Sequence, residues 1–526
     1  MYSFKEFQTN LNFVFRVLIF LLFSALYLPH CFIIIEDLGL ILAYEVDAGS
    51  IIASIQDLIN NYNMNKSYHS RYYGWSYLSL NYAIIKLAIF LSDGYILEHK
   101  FYFYFLVRFI LFLLGLISAM VLFEVALRFF KSGILALIAS VLYIFNFIYS
   151  GYFYIIHPEV AGVLFLLLAV FYLEKIDENI NNHKKYYFIT LVFLVLASLA
   201  KQIFFIISLP ILLSVIYKIY FFRKEKNFKE FLSSEFFKKI LINTFIISLA
   251  ILLIIHPYFL FNLSKTIKYQ IEIKEYFTES GLSLSFFEAL SSWVKLIGNN
   301  LLFLFFIFTT PLVIFISFIE FKRRQNFNYL LVFINAIALL LVTSLVFCVN
   351  RVYIYSGYLY PLSPFIILYL VSMVYFVKNR PSSSFCLKIL YFCLYVILLY
   401  SCYIAIKASI KLSSERYDFR DTTPYLTYNY IIENSKNGEK FAYDHFVAFP
   451  SEFSDRGCHY WQGCGTDYVE EFKPDYVMFN DEFKINGKPL VEKERLKKYI
   501  ADHNMKLDGF IKSNKQNLKI SIYKKK

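Results

Sequence analysis

Acidic side chains are almost absent from the long apolar runs of this sequence. A proton relay or ion-coupling path needs carboxylates spread through bilayer depth, so their scarcity counts against a transporter. No internal repeat is visible either, whereas transporter folds are commonly built from them. Charge of either sign is sparse: 17% of the residues are charged against 58% hydrophobic, and the mean hydropathy is +0.53. That balance excludes a soluble globule. Trp numbers 3 beside 60 Phe and 45 Tyr, a skew read as codon bias and given no functional weight. The tail holds two of the 7 cysteines, Cys458 and Cys464, in Cys-His-Tyr-Trp-Gln-Gly-Cys. It has no second Cys-x-x-Cys, and His459 directly after Cys458 is poor spacing for zinc, so a disulfide is the favoured reading.

What is present is a series of apolar runs, near 14–35, 102–123, 134–150, 159–173, 186–200, 203–221, 239–260, 300–319, 328–348, 359–377 and 385–408. They predict a polytopic α-helical membrane protein of about eleven spans. The first run lacks a small-residue cleavage site and is expected to be a retained signal anchor with its N-terminus cytoplasmic. The formal net charge of +13 does not point to nucleic acid, because the cations cluster between the runs. Those clusters are Lys5 to Arg16, Arg128 to Lys131, Lys175 to Lys185, Lys218 to Lys239, Lys322 to Arg324 and Lys378 to Lys388. Placing all of them on the cytoplasmic side gives alternating spans without exception.

The same topology divides the chain into a membrane region, 1–410, and a polar tail, 411–526, on the far side of the inner or plasma membrane. External segments are expected at 36–101 and 261–299. Within the first, residues 71–92 read as an amphipathic helix whose Trp75 and tyrosines suit the headgroup layer. The tail alternates helix signals (425–434, 492–503) with strand signals (440–444, 475–479, 518–523), which suits a small α/β domain.

Few charged residues lie at the external ends of the runs, and a functional hypothesis starts from them. Glu45 and Asp47 follow the first run at i, i+2 spacing, so in an extended loop both point the same way. Such a carboxylate can deprotonate a hydroxyl or hold a divalent cation, and it can equally be a solvated loop acid. Lys201 and Arg351 suit the oxygens of a departing phosphate, or interfacial anchoring. The His157-Pro158-Glu159 turn, with Tyr353 in the run after Arg351, suits acceptor positioning; Pro at a helix start followed by an acid is also ordinary helix initiation.

In order and layout these features resemble the GT-C glycosyltransferases, polytopic enzymes such as the protein mannosyltransferases and the lipid A aminoarabinose transferase. Five stretches carry the resemblance: Tyr-Glu-Val-Asp-Ala-Gly after the first run, Tyr-Tyr-Gly-Trp-Ser-Tyr-Leu-Ser-Leu, His-Pro-Glu, Leu-Ala-Ser-Leu-Ala-Lys-Gln, and Arg-Val-Tyr-Ile-Tyr-Ser-Gly-Tyr-Leu-Tyr-Pro-Leu-Ser-Pro. The chain departs from the family in having Glu-x-Asp where many relatives have an Asp-Glu pair, and in lacking Pro-Pro in the second stretch. The resemblance implies inverting transfer of a sugar from a polyprenyl-phosphate donor to a glycan, lipid or protein acceptor on the outer face. Asp47 is then the favoured catalytic acid with Glu45 second, and Lys201 and Arg351 face the donor phosphate. No cofactor is required by this reading beyond a divalent cation, if any, on Glu45 and Asp47. The competing readings are a transporter or flippase, and a polymerase or ligase, of lipid-linked glycans.

Overall fold

The computed structural model describes residues 4–32, 46–61, 74–145, 156–176, 180–223, 228–255, 284–298, 356–378, 399–411, 422–435, 438–444, 447–459, 466–480, 491–513 and 519–525, with isolated positions such as Asp37, Leu40 and Phe153 between them. The runs expected at 300–319 and 328–348 lie outside these residues except for single positions.

The described apolar runs fold as helices because lipid offers backbone amides no partner, and a helix pairs them internally. The first helix, α1 (Phe4–Cys31), is followed by α2 (Val46–Asn61), α3 (Trp75–Leu91), α4 (Tyr95–Glu98), α5 (Lys100–Phe130) and α6 (Gly133–Ile144). Next come α7 (Glu159–Glu174), α8 (Ile180–Ala200), α9 (Gln202–Arg223), α10 (Phe228–Ser233), α11 (Glu235–Ile255) and α12 (Phe286–Gly298). A 3₁₀ segment, Ser356–Leu362, leads into α13 (Ser363–Lys378). Among the described residues, four stretches are long and apolar enough to cross a membrane: Gln8–Cys31, Phe101–Phe130, Ile203–Tyr220 and Phe237–Ile254. The protein is a mostly helical membrane protein.

α5 is the spine of the bundle, packing against α1, α6 and α7, while α8 packs against α7, α9 and α11. Chain reversals are local. Lys131 takes φ 47° and ends α5, and Ser132 caps α6 by accepting from the Leu135 amide. α7 and α9 approach closely at Gly162, where a Cβ would lie 2.4 Å from the Phe204 ring. α12 begins with a capping box: the Ser285 amide donates to Glu288 Oε2 at 2.9 Å and the Glu288 amide to Ser285 Oγ at 3.4 Å. Phe286, Phe287, Leu290 and Val294 are exposed while Ala289 and Trp293 are buried, as for a helix lying at an interface.

Two expectations change. α3 is helical, but its first turn is buried rather than lying among headgroups: Trp75, Ser76, Tyr77 and Leu78 pack inward, and the exposed side chains include Ile84, Lys86, Leu87, Phe90 and Leu91. The extended loop expected around Glu45 and Asp47 gives way at Val46 to α2. The cause is a helical repeat, with Ile51, Ile52, Ile55, Leu58 and Ile59 buried at i, i+1, i+4, i+7 and i+8.

The tail forms a five-stranded sheet of order β2-β1-β3-β5-β4. Its strands are β1 (Phe441–Tyr443), β2 (Gly457–His459), β3 (Tyr476–Asn480), β4 (Lys506–Lys512) and β5 (Lys519–Lys524). β1, β2 and β3 run parallel; β5 pairs antiparallel with β3 and β4. α14 (Thr423–Ser435) covers one face through Ile431, while α15 (Thr466–Phe472) and α16 (Val491–Asp502) cover the other through Val469, Leu496 and Tyr499. β3, buried at every position, therefore reads as continuous apolar sequence. Tyr425, Tyr428 and Ala448 pack on the helical core and hold the sheet against the bundle. Cys458, on β2, is disulfide-bonded; its expected partner Cys464 lies outside the described residues.

Candidate active site

The turn before α7 carries His157, Pro158 and Glu159. Proline suits this place because the first amides of a helix have no intrahelical acceptor, and its carbonyl accepts from the Gly162 amide at 3.1 Å. Glu159, in the first turn, lies where the helix dipole favours an anion. α7 runs away from this turn and α8 returns toward it, so the α8–α9 corner arrives at the same end. Lys201, the one residue between those helices, forms an ion pair through Nζ with Glu159 Oε1, and His157 Nδ1 meets Glu159 Oε2. The Glu159 side chain is 2% exposed and that of Lys201 19%. At such burial the carboxylate cannot rely on water, and its partners decide whether it stays charged.

Gly74 closes the arrangement. It takes φ +65°, and a Cβ there would lie 2.6 Å from Pro158 Cβ and 3.6 Å from the Ala200 carbonyl oxygen. The backbone at Gly74, just before α3, thus rests on both the His-Pro-Glu turn and the Ala-Lys corner, and only glycine fits there. Tyr360 brings in a fourth stretch: its hydroxyl hydrogen-bonds that of Tyr143 at 3.1 Å, and Phe153 sets its ring edge-on to both. The 3₁₀ segment that bears Tyr360 packs against α7 and α9.

Asp47 lies in the first turn of α2, and α2 packs on α3. Glu45, Arg351 and Tyr353 lie outside the described residues, as does the Asp47 side chain. Among the described residues no group of three His, Cys, Asp or Glu side chains could hold a metal ion. The divalent cation expected on Glu45 and Asp47 concerns side chains outside that set.

Sequence reasoning passed over a second polar group. Arg108 is buried in α5, 8% exposed, and its Nη1 donates to the His30 carbonyl at 3.4 Å. Asp37, six residues past α1, stands near enough to Tyr428 to oppose its ionisation. Burial, then the carboxylates of Asp37 and Glu452, push the Tyr428 phenol up to about 12. Arg108 was detectable as a lone cation inside the 102–123 run; Asp37 carried no comparable signal.

Residues 90–277 match the family model described as dolichyl-phosphate-mannose-protein mannosyltransferase. The resemblance to the GT-C glycosyltransferases is borne out. No curated protein matches the sequence. Among solved structures, the fold is similar to the apo oligosaccharyltransferase of Archaeoglobus fulgidus, with 14% identity, a TM-score of 0.48, and coverage of 89% of this chain and 69% of that one. It is also similar to ArnT from Cupriavidus metallidurans bound to undecaprenyl phosphate, with 11% identity, a TM-score of 0.48, and coverage of 95% and 97%. The Archaeoglobus AglB in complex with an inhibitory peptide and a dolichol-phosphate gives 13% identity, a TM-score of 0.46, and coverage of 91% and 70%.

Proposed function

We propose that the protein is an inverting glycosyltransferase that moves a sugar from a polyprenyl-phosphate donor to an acceptor hydroxyl at the outer membrane surface. The observation that carries this reading is the convergence of Gly74, Pro158, Glu159 and Lys201 at one end of the bundle, within or beside the stretch that matches the family model. The donor is anchored in lipid with its phosphosugar at headgroup depth. Cations and a base therefore belong at a helix end rather than at the midplane.

In this reading Asp47 takes the proton of the acceptor hydroxyl, with Glu45 as the second candidate. The acceptor oxygen attacks the anomeric carbon from the side opposite the phosphate; the bond from that carbon to the phosphate oxygen breaks, and polyprenyl phosphate departs with the electron pair. Lys201 and Arg351 neutralise the phosphate as it leaves. Glu159 acts as a positioning residue: it holds the Lys201 ammonium, which has three protons to donate, in place at the turn. His157 and Tyr353 are assigned to placing the acceptor. The N-terminus is cytoplasmic in this account, and the tail sheet lies outside, over the site.

The test is transfer from a panel of synthetic polyprenyl-phosphate sugars by purified wild type and Asp47→Asn. Wild type should release sugar to an acceptor, and the variant should lose about 10²- to 10⁴-fold in rate with an unchanged melting curve, as for removal of a general base. Near-normal transfer by Asp47→Asn would reject it as the base and bring Glu45→Gln forward. Donor translocation across liposomes without any transfer would replace the enzyme reading by that of a flippase.

A further inference from the structure

The far end of α7 gathers cations that the transfer reading does not use. α7 has 16 residues, so at 1.5 Å per residue its ends are about 24 Å apart, and this group lies at the opposite end of the helix from Glu159. Arg128 at the end of α5 lies over the Phe171 ring at 4.4 Å. Lys175 lies over Phe171 at 4.5 Å, Tyr172 at 5.0 Å and Tyr186 at 5.8 Å, and Lys185 lies over Tyr186 at 5.9 Å. Burial, then the charges of Arg128 and Lys185, lower the pKa of the Lys175 ammonium, so each of those two cations stands close enough to repel Lys175. Beneath them Lys218, 4% exposed, donates to the closing carbonyls of α7, Leu173 at 2.9 Å and Glu174 at 3.3 Å.

A single described carboxylate answers this charge. Glu174 stands near Lys218 and Arg128, and its Oε1 is buried with no hydrogen-bond partner among the described residues. Asp177 and Glu178 lie outside those residues. A cytoplasmic bias in cations explains why cations occur on this face, but not why an arginine and two lysines share one row of aromatic rings. Arg128 and Lys185 are exposed, and Phe188, one turn along α8 from Lys185, is 48% exposed. Exposed donors beside an exposed apolar ring suit a ligand with a phosphate and a hydrocarbon chain.

We propose that Arg128, Lys175 and Lys185 form a binding site for the phosphate of an anionic phospholipid in the leaflet opposite the transfer site. The arginine supplies a forked donor, the lysines supply charge, and the rings hold the lysine stems in place. The proposal does not depend on the transfer reading.

The test uses full-length protein in nanodiscs of phosphatidylcholine with a minor fraction of phosphatidylglycerol, with retained lipid counted by native mass spectrometry. Wild type should retain phosphatidylglycerol in preference, and R128Q/K175Q/K185Q should lose that preference roughly a hundredfold, about fivefold per charge. If the triple variant does not fold, Arg128→Gln alone should show the fivefold loss. Lys238→Gln, an exposed cation already paired with Glu235, should leave retention unchanged. Equal retention by wild type and variants overturns the site, and so does an equal loss in Lys238→Gln, which would mark a diffuse charge effect. Displacement of the lipid by millimolar inorganic phosphate would assign the group to a soluble anion and overturn the lipid.

Discussion

Glu159 and Glu174 stand at the two ends of α7, and each meets a lysine from the α8–α9 arm. At the first end the helix dipole favours the carboxylate; Lys201 and His157 answer it directly, and Gly74 seals the turn. At the second end the dipole opposes an acid and favours cations, and the described cations outnumber the carboxylate. One end is a closed group in which the carboxylate is matched by its partners. The other is an open, unmatched group whose surplus charge invites an anion from outside. Burial and charge matching together, more than the identity of the residues, distinguish the two ends.

Removing Glu159 should break the comparison most severely. Glu159→Gln leaves Lys201 without its partner, and because the carboxylate is 2% exposed the expected loss is about 3–5 kcal/mol in a detergent melt, with transfer reduced at least tenfold. The double variant Glu159→Gln/Lys201→Met should recover part of that stability and none of the transfer. A loss of under about 1 kcal/mol would show that the pair is wet and the end not closed.

Gly74→Ala tests the seal. A left-handed backbone costs a non-glycine residue about 1–2 kcal/mol, and the new methyl would overlap Pro158 as well, so a loss of about 2 kcal/mol and weaker transfer are expected. An unchanged melt would mean that the turn can lift off the His-Pro-Glu corner. Glu174→Gln sharpens the contrast from the other end. It relieves an acid at a helix C-terminus while uncovering Lys218, so stability should move by about 1 kcal/mol at most and transfer should not move. The smallest effect belongs to Lys238→Ala: its side chain is 58% exposed and that of Glu235 79%, so the loss should stay below about 0.5 kcal/mol.

Hydropathy along the chain placed the described helices and says what they are made of. Runs such as 102–123 and 203–221 are apolar on nearly every side and have no stable state in lipid other than a helix, and the corner at Lys201 and Gln202 shows as a break in hydropathy. The tail was legible for a related reason: 475–479 is buried on both faces as β3, and 425–434 falls within the helix Thr423–Ser435. β2 and β4 left less of a mark. β2 has three residues, and β4 is the mostly exposed sequence Lys-Leu-Asp-Gly-Phe-Ile-Lys, which lies in the sheet because β5 offers it a ladder. For the candidate site, composition marked the charged residues at the helix ends without saying which of them meet. Glu159 and Lys201 are 42 positions apart, and Gly74 lies further still from both. Their meeting depends on α8 returning antiparallel to α7 and on a backbone turn that only a residue without a side chain can make. Such long-range pairing leaves no periodicity in the chain, so the tertiary structure alone decided it.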